Sequence, residues 1–109
     1  MRIGIVGGVE RSERAYIDLA ARAGHEVAFH SGHLAGRGSE SLTGIVRSAE
    51  LLIVVTDVNS HGAVQLARRQ ARKYGVALLL LRRCSPARFA TLLAAYEARV
   101  GLPLAAVGS

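Results

Sequence analysis

The residues with the most chemistry to offer stand just after four short apolar runs. Gly7-Gly8 follows the first run, His30-Ser31-Gly32-His33 closes the second, Thr56-Asp57-Val58-Asn59-Ser60-His61 follows the third, and Arg82-Arg83-Cys84-Ser85 follows the fourth. Imidazoles are the most versatile groups in this set. His61 falls at the start of a helical pattern, where the positive end of the helix dipole disfavours an imidazolium. The neutral ring is the form that ligates metals, haem iron included. His30 and His33 are further candidate ligands, so the metal set is His30, His61 and His33. Arg82 has the fork geometry to hold a carboxylate, a phosphate or a haem propionate. Asp57 is the one carboxylate placed near them.

Each of these residues has a plain structural alternative. Ser60 or His61 can simply cap a helix, His30 can be a satisfied histidine at a strand end, and Gly7-Gly8 can serve a tight turn. The glycine pair is not a dinucleotide fingerprint, because Gly7-Gly8-Val9-Glu10-Arg11-Ser12 lacks the third glycine of that motif. The single cysteine, Cys84, permits no internal disulfide and excludes a multi-cysteine zinc site. Near a helix start its thiol is either reactive or inert. His25 opens the second run at the opposite end and is expected on the surface.

The elements that position these residues alternate four times between strand and helix. The runs Arg2–Val6, Glu26–His30, Leu51–Thr56 and Val76–Leu81 read as strands, the third apolar throughout, as a buried parallel strand is. Helical stripes run over 12–23, 42–49, 61–74 and 86–100. Gly24 and Gly75 act as stops, and Ser85-Pro86 as a cap followed by proline at the first helical position. This alternation predicts one α/β domain over residues 1–109, with a parallel sheet in order 2-1-3-4 and helices on both faces. In such sheets ligands bind beyond the carboxyl ends of the strands, where the winding reverses. Strands 2 and 3 then flank strand 1, with tips roughly 10 Å apart, so His30 and His61 are expected to face each other over a bare floor at Gly7 and Gly8.

Composition sets the remaining bounds. A chain of 109 residues fits one domain, and half its residues are hydrophobic. A domain this small gains from dimerisation, and a homodimer is expected, with the apolar tail 102–109 packing on the neighbouring subunit. Val76–Leu81 is too short to span a membrane and no secretory signal is visible, so a cytoplasmic location is expected. The net charge is +6, and Lys73 is the only lysine. Arg68, Arg69, Arg72 and Lys73 form a basic stripe that is either a solvated face or a surface for an acidic partner or a nucleic-acid backbone. Few aromatic residues are available to stack bases, so nucleic acid is not favoured.

Taken together, Gly7-Gly8, His30-Ser31-Gly32, Thr56-Asp57 with Ser60-His61, Arg68, Arg72 and Arg82 resemble the bacterial family known as domain of unknown function 2325 over nearly the whole chain. Its pattern has a glycine pair after strand 1, His-Asp-Gly-Gly after strand 2, Thr-Asp-x-x-Ser-His after strand 3, two lysines four apart, and an arginine after strand 4. Here Ser31 replaces the aspartate, His33 the second glycine, and Arg68 and Arg72 the lysines. The resemblance implies that Gly7, Gly8, His30, Asp57, Ser60, His61 and Arg82 act as a set, and brings no established activity. From the residues, the leading expectation is a protein that binds haem b, or another transition-metal centre, through histidines at the strand tips. The alternative is an anion- or nucleotide-binding regulatory module using Gly7-Gly8, the Ser60-capped helix start and Arg82.

Overall fold

The computed structural model describes residues 1–100; the tail 102–109 lies outside the described residues. The strands are β1 (Arg2–Val6), β2 (Glu26–His30), β3 (Leu51–Val55) and β4 (Ala77–Leu81). The helices are α1 (Glu13–Arg22), α2 (Gly38–Ser48), α3 (His61–Tyr74) and α4 (Pro86–Val100), with a 3-10 turn at Glu10–Ser12 ahead of α1. All pairings are parallel and the strand order is β2-β1-β3-β4, as the alternation predicts.

The period-2 alternation of strand side chains splits the core into two layers. Ile3, Ile5, Ile53 and Val55 pack with Tyr16 and Ala20 of α1 and Phe89 and Leu93 of α4. Val6, Leu52 and Val54 face the other way, onto Leu42 and Val46 of α2 and the Ala63, Ala67, Ala71 stripe of α3. Alanines four apart let α3 lie close to the sheet. Gly4 does the same for α2, since a Cβ there would stand 2.8 Å from Ile45 Cγ2 and 2.9 Å from Leu52 Cδ1. β3 is buried along its whole length, whereas β2 and β4 are edge strands with exposed positions.

Two sequence expectations are corrected. α2 begins at Gly38, four residues before the expected Leu42. Its first turn is polar on the outside, and Gly38, Leu42 and Val46 share the inner face at spacings of four, so apolar periodicity alone marks the start too late. His25 is not on the surface. Its side chain is only 8% exposed and pairs through Nε2 with the Glu97 carboxylate. Helix α4 runs back towards the amino ends of the strands and brings Glu97 over it.

Candidate functional site

The register places Val6 of β1 between His30 of β2 and Val54 of β3, so the loops leaving these strands emerge side by side. The β1 loop turns at once. Gly7 and Gly8 have φ of 89° and 95°, a region other residues enter only with strain. Their N–H groups point inward, Gly7 donating to the His30 carbonyl at 2.7 Å and Gly8 to the Val58 carbonyl at 2.6 Å. Both donors are thereby committed, and neither is free to cradle a phosphate.

Asn59 joins three of the loops. Its Nδ2 donates to the carbonyls of Val55 at 2.8 Å and Val6 at 3.3 Å, and its Oδ1 accepts from Ser60 N–H at 2.8 Å. A Cβ on Gly7 or on Gly32 (φ 94°) would run into this carboxamide, so both positions require glycine. The floor expected to be bare above Gly7 is therefore filled by Asn59. Ser60 completes the stitching: its hydroxyl donates to the Gly32 carbonyl at 2.6 Å and accepts from Ala63 N–H at 3.1 Å, capping α3.

His30 belongs to the same framework. It is 7% exposed; its Nδ1 accepts from Gly32 N–H at 2.9 Å and its Nε2 stands 2.9 Å from the Gly38 carbonyl, an acceptor. With Nδ1 accepting and Nε2 facing an acceptor, both ring nitrogens are occupied and none is left for a metal. The expected pair of facing imidazoles is not formed, because His30 is turned into the loop that carries α2 while His61 is exposed on the first turn of α3. Among the described residues no three His, Cys, Asp or Glu side chains come together as a metal-ion site.

The Gly8–Val58 hydrogen bond makes a ridge between two of the clefts at the carboxyl edge. Val9 and Val58 stand on it, 41% and 50% exposed. On the α2/α3 side lies an open cleft of about 430 Å³ that includes Ser31, His33 and Ser60. On the α1/α4 side lies a more enclosed cleft of about 360 Å³. Its floor is Tyr16, Val55 and Pro86, and its rim carries Arg11, Arg82 and Arg83. Asp57 is the one carboxylate in this rim, with Arg83 Nε at 3.1 Å and Arg82 Nε at 3.6 Å. Both guanidiniums are largely exposed, which keeps them free to reorient towards a ligand.

At the inner end of this cleft the Tyr16 hydroxyl donates to the Cys84 carbonyl. Burial pushes the Tyr16 hydroxyl above its ordinary pKa, and the nearby Cys84 sulfur adds to the rise. The Cys84 thiol is also raised by burial, against a smaller opposing effect of Arg88. Burial at 7% exposure and the raised pKa both favour the inert of the two readings of Cys84. Next to it the Ser85 hydroxyl accepts from Arg88 N–H at 3.1 Å and caps α4.

The candidate set therefore divides by role. Gly7, Gly8, His30 and Ser60 build the framework, Asp57 and Arg82 line the arginine cleft, His33 lines the opposite one, and His61 lines neither. Arg11, Tyr16, Asn59 and Arg83 are additions. Arg11 lies in the turn directly after β1 and is visible by counting from the strand end, whereas Tyr16 reads only as a core residue of α1. Asn59 reads as one more capping residue, because its partners at Val6 and Val55 are set by the pairing of β1 with β3.

A doubly wound parallel sheet whose strand-tip loops enclose clefts at the carboxyl edge defines the class of this protein. The chain belongs to the family described as an uncharacterized protein conserved in bacteria (DUF2325), which it matches over residues 2–96. No curated protein and no solved structure matches it. The family assignment agrees with the strand-tip motifs and extends through all four strands.

Proposed function

We propose that this protein binds a small organic anion, a phosphorylated or carboxylated molecule with a flat apolar body, in the cleft between α1 and α4. The observation that carries the reading is the composition of that cleft: three arginines against one aspartate over an apolar floor. Its volume of about 360 Å³ lies in the range of small-molecule sites. Guanidinium groups recognise phosphate and carboxylate by paired hydrogen bonds, and the apolar floor takes the body of the ligand. This relocates the anion site expected from the sequence, keeping Arg82 and replacing the glycine pair with Arg11 and Arg83. Thermal-shift measurements against phosphate, ADP, ATP and haemin test it. An organic anion is expected to raise the melting temperature, and Arg82→Ala with Arg83→Ala to remove the effect. No shift with any of these probes, or a shift untouched by the double substitution, overturns it.

Haem b is the second reading, favoured by the exposed apolar ridge of Val9 and Val58 with arginines on one side and His33 on the other. Haem is itself a flat dicarboxylate, so the arginines would take its propionates. His33 would supply the axial imidazole from the cleft across the ridge, with His61, outside both clefts, reaching it only if α3's first turn moved, since the His30 ring is committed at both nitrogens. A Soret band that survives His30→Ala and is lost with His33→Ala or His61→Ala would support this version. The reading includes a cytoplasmic homodimer. No helix among the described residues is long and apolar enough to cross a membrane. The β4 edge, which pairs with no further strand among the described residues and where Leu80 is 44% exposed, is the surface that supports self-association.

A further inference from the structure

We propose that the groove between α2 and α3 is a docking site for an acidic amphipathic helix of a partner protein. α3 carries Arg68, Arg69, Arg72 and Lys73 and no acidic residue, and α2 carries Arg47 against Glu40. Five cations against one carboxylate give these two helices four of the chain's six net positive charges. None of the five is paired with a carboxylate among the described residues. Arg47 and Lys73 lie 5.6 and 5.4 Å from the centre of the Tyr74 ring, which holds their charges at the surface without neutralising them.

The shape of the face adds an apolar element. A groove of about 720 Å³ runs between the helices, with the half-buried Leu34 and Leu66 in it and Arg47, Arg69 and the single carboxylate Glu40 also lining it. Its depth comes from missing side chains: Gly44 and Gly62 both line it, and a Cβ added to Gly44 would meet nothing within 4 Å.

Charge complementarity selects the occupant. A second copy of this face would bring the same five cations against themselves. A nucleic-acid backbone would satisfy the arginines but leave the groove-facing parts of the half-buried Leu34 and Leu66 uncovered, and Tyr74 is already occupied by two cations. An amphipathic helix with leucines on one stripe and Asp or Glu beside it answers both features.

The test uses three fluorescent probes at physiological salt, read by anisotropy. The first is a synthetic amphipathic peptide of about 18 residues, five turns of helix, with leucines on one stripe and glutamates flanking it. The second is the same composition in scrambled order, and the third a duplex DNA of similar charge. Binding of the amphipathic peptide at least tenfold tighter than of either other probe is expected, and Arg47→Glu with Arg69→Glu removes it. Gly44→Leu fills the groove without changing charge, and because it places a good helix former in an exposed helical position it keeps the fold. It is expected to weaken the peptide at least tenfold and leave DNA binding unchanged. Equal binding of the two peptides, tighter binding of DNA, or full binding by Gly44→Leu overturns the proposal.

Discussion

Replacing Asn59 with alanine removes the side chain that, among the described residues, hydrogen-bonds the ends of β1 and β3 together. Two of its three hydrogen bonds, to the Val55 carbonyl and from Ser60 N–H, are 2.8 Å long, and the third, to Val6, is 3.3 Å. At about 1 kcal/mol for each good bond, the loss is about 2 kcal/mol. For a domain of this size that lowers the melting temperature by roughly 8 °C. Asn59→Asp is nearly the same shape, yet it is expected to cost more than alanine. It turns a donor into an anion facing two carbonyl oxygens, and the destabilisation is about 3 kcal/mol. Urea unfolding at neutral pH measures both variants, with the slope expected to stay unchanged because the exposed surface is the same. A change within about 0.5 kcal/mol for alanine, or an aspartate variant as stable as the parent, would refute the view that this carboxamide holds the edge together.

Three further outcomes follow from the same geometry. His30→Ala leaves Gly32 N–H without its partner in a buried loop and is expected to cost about 3 kcal/mol by denaturant unfolding; a near-neutral change would mean the ring is not structural. Tyr16→Phe strips the Cys84 carbonyl of its donor and is expected to cost about 1–2 kcal/mol, measured as a shift in the urea midpoint. The raised Cys84 thiol gives a pH dependence whose sign is fixed: the folded state holds its proton above the pH at which the unfolded chain releases it, so stability falls as pH rises past about 8.5. Melting temperatures from pH 7 to 10 are expected to fall less steeply in Cys84→Ala, and parallel slopes in the two proteins would contradict the raised thiol.

Much of the fold was legible because its signals are local. The fully apolar run at Leu51–Val55 and the glycine stops at Gly24 and Gly75 mark a buried parallel strand and two helix ends from neighbouring residues alone. The start of α2 was less legible, since its first turn shows no apolar residue. The site was legible as a place but not as an arrangement. Counting strands brings His30, Asp57, Ser60 and Arg82 to one edge, but it does not show which way a ring turns. His30 faces inward because the Gly32 N–H and the Gly38 carbonyl offer two fixed partners there, and their position depends on where the following loop returns. Nor does it show that the glycine N–H groups are already bonded, since their acceptors lie on β2 and beyond β3. His25 was misplaced for the same reason: its partner Glu97 is far along the chain, on the last helix.

The central claim, that the arginine cleft on the α1/α4 side holds an organic anion, is tested most directly by a backbone-amide NMR titration of the isotope-labelled protein with ADP. Shift changes are expected to centre on Arg11, Tyr16, Asp57, Arg83 and Cys84, and to disappear in Arg83→Ala. Changes confined to His33 and Ser60 or to α3, or none in the cleft at millimolar ADP, would contradict it.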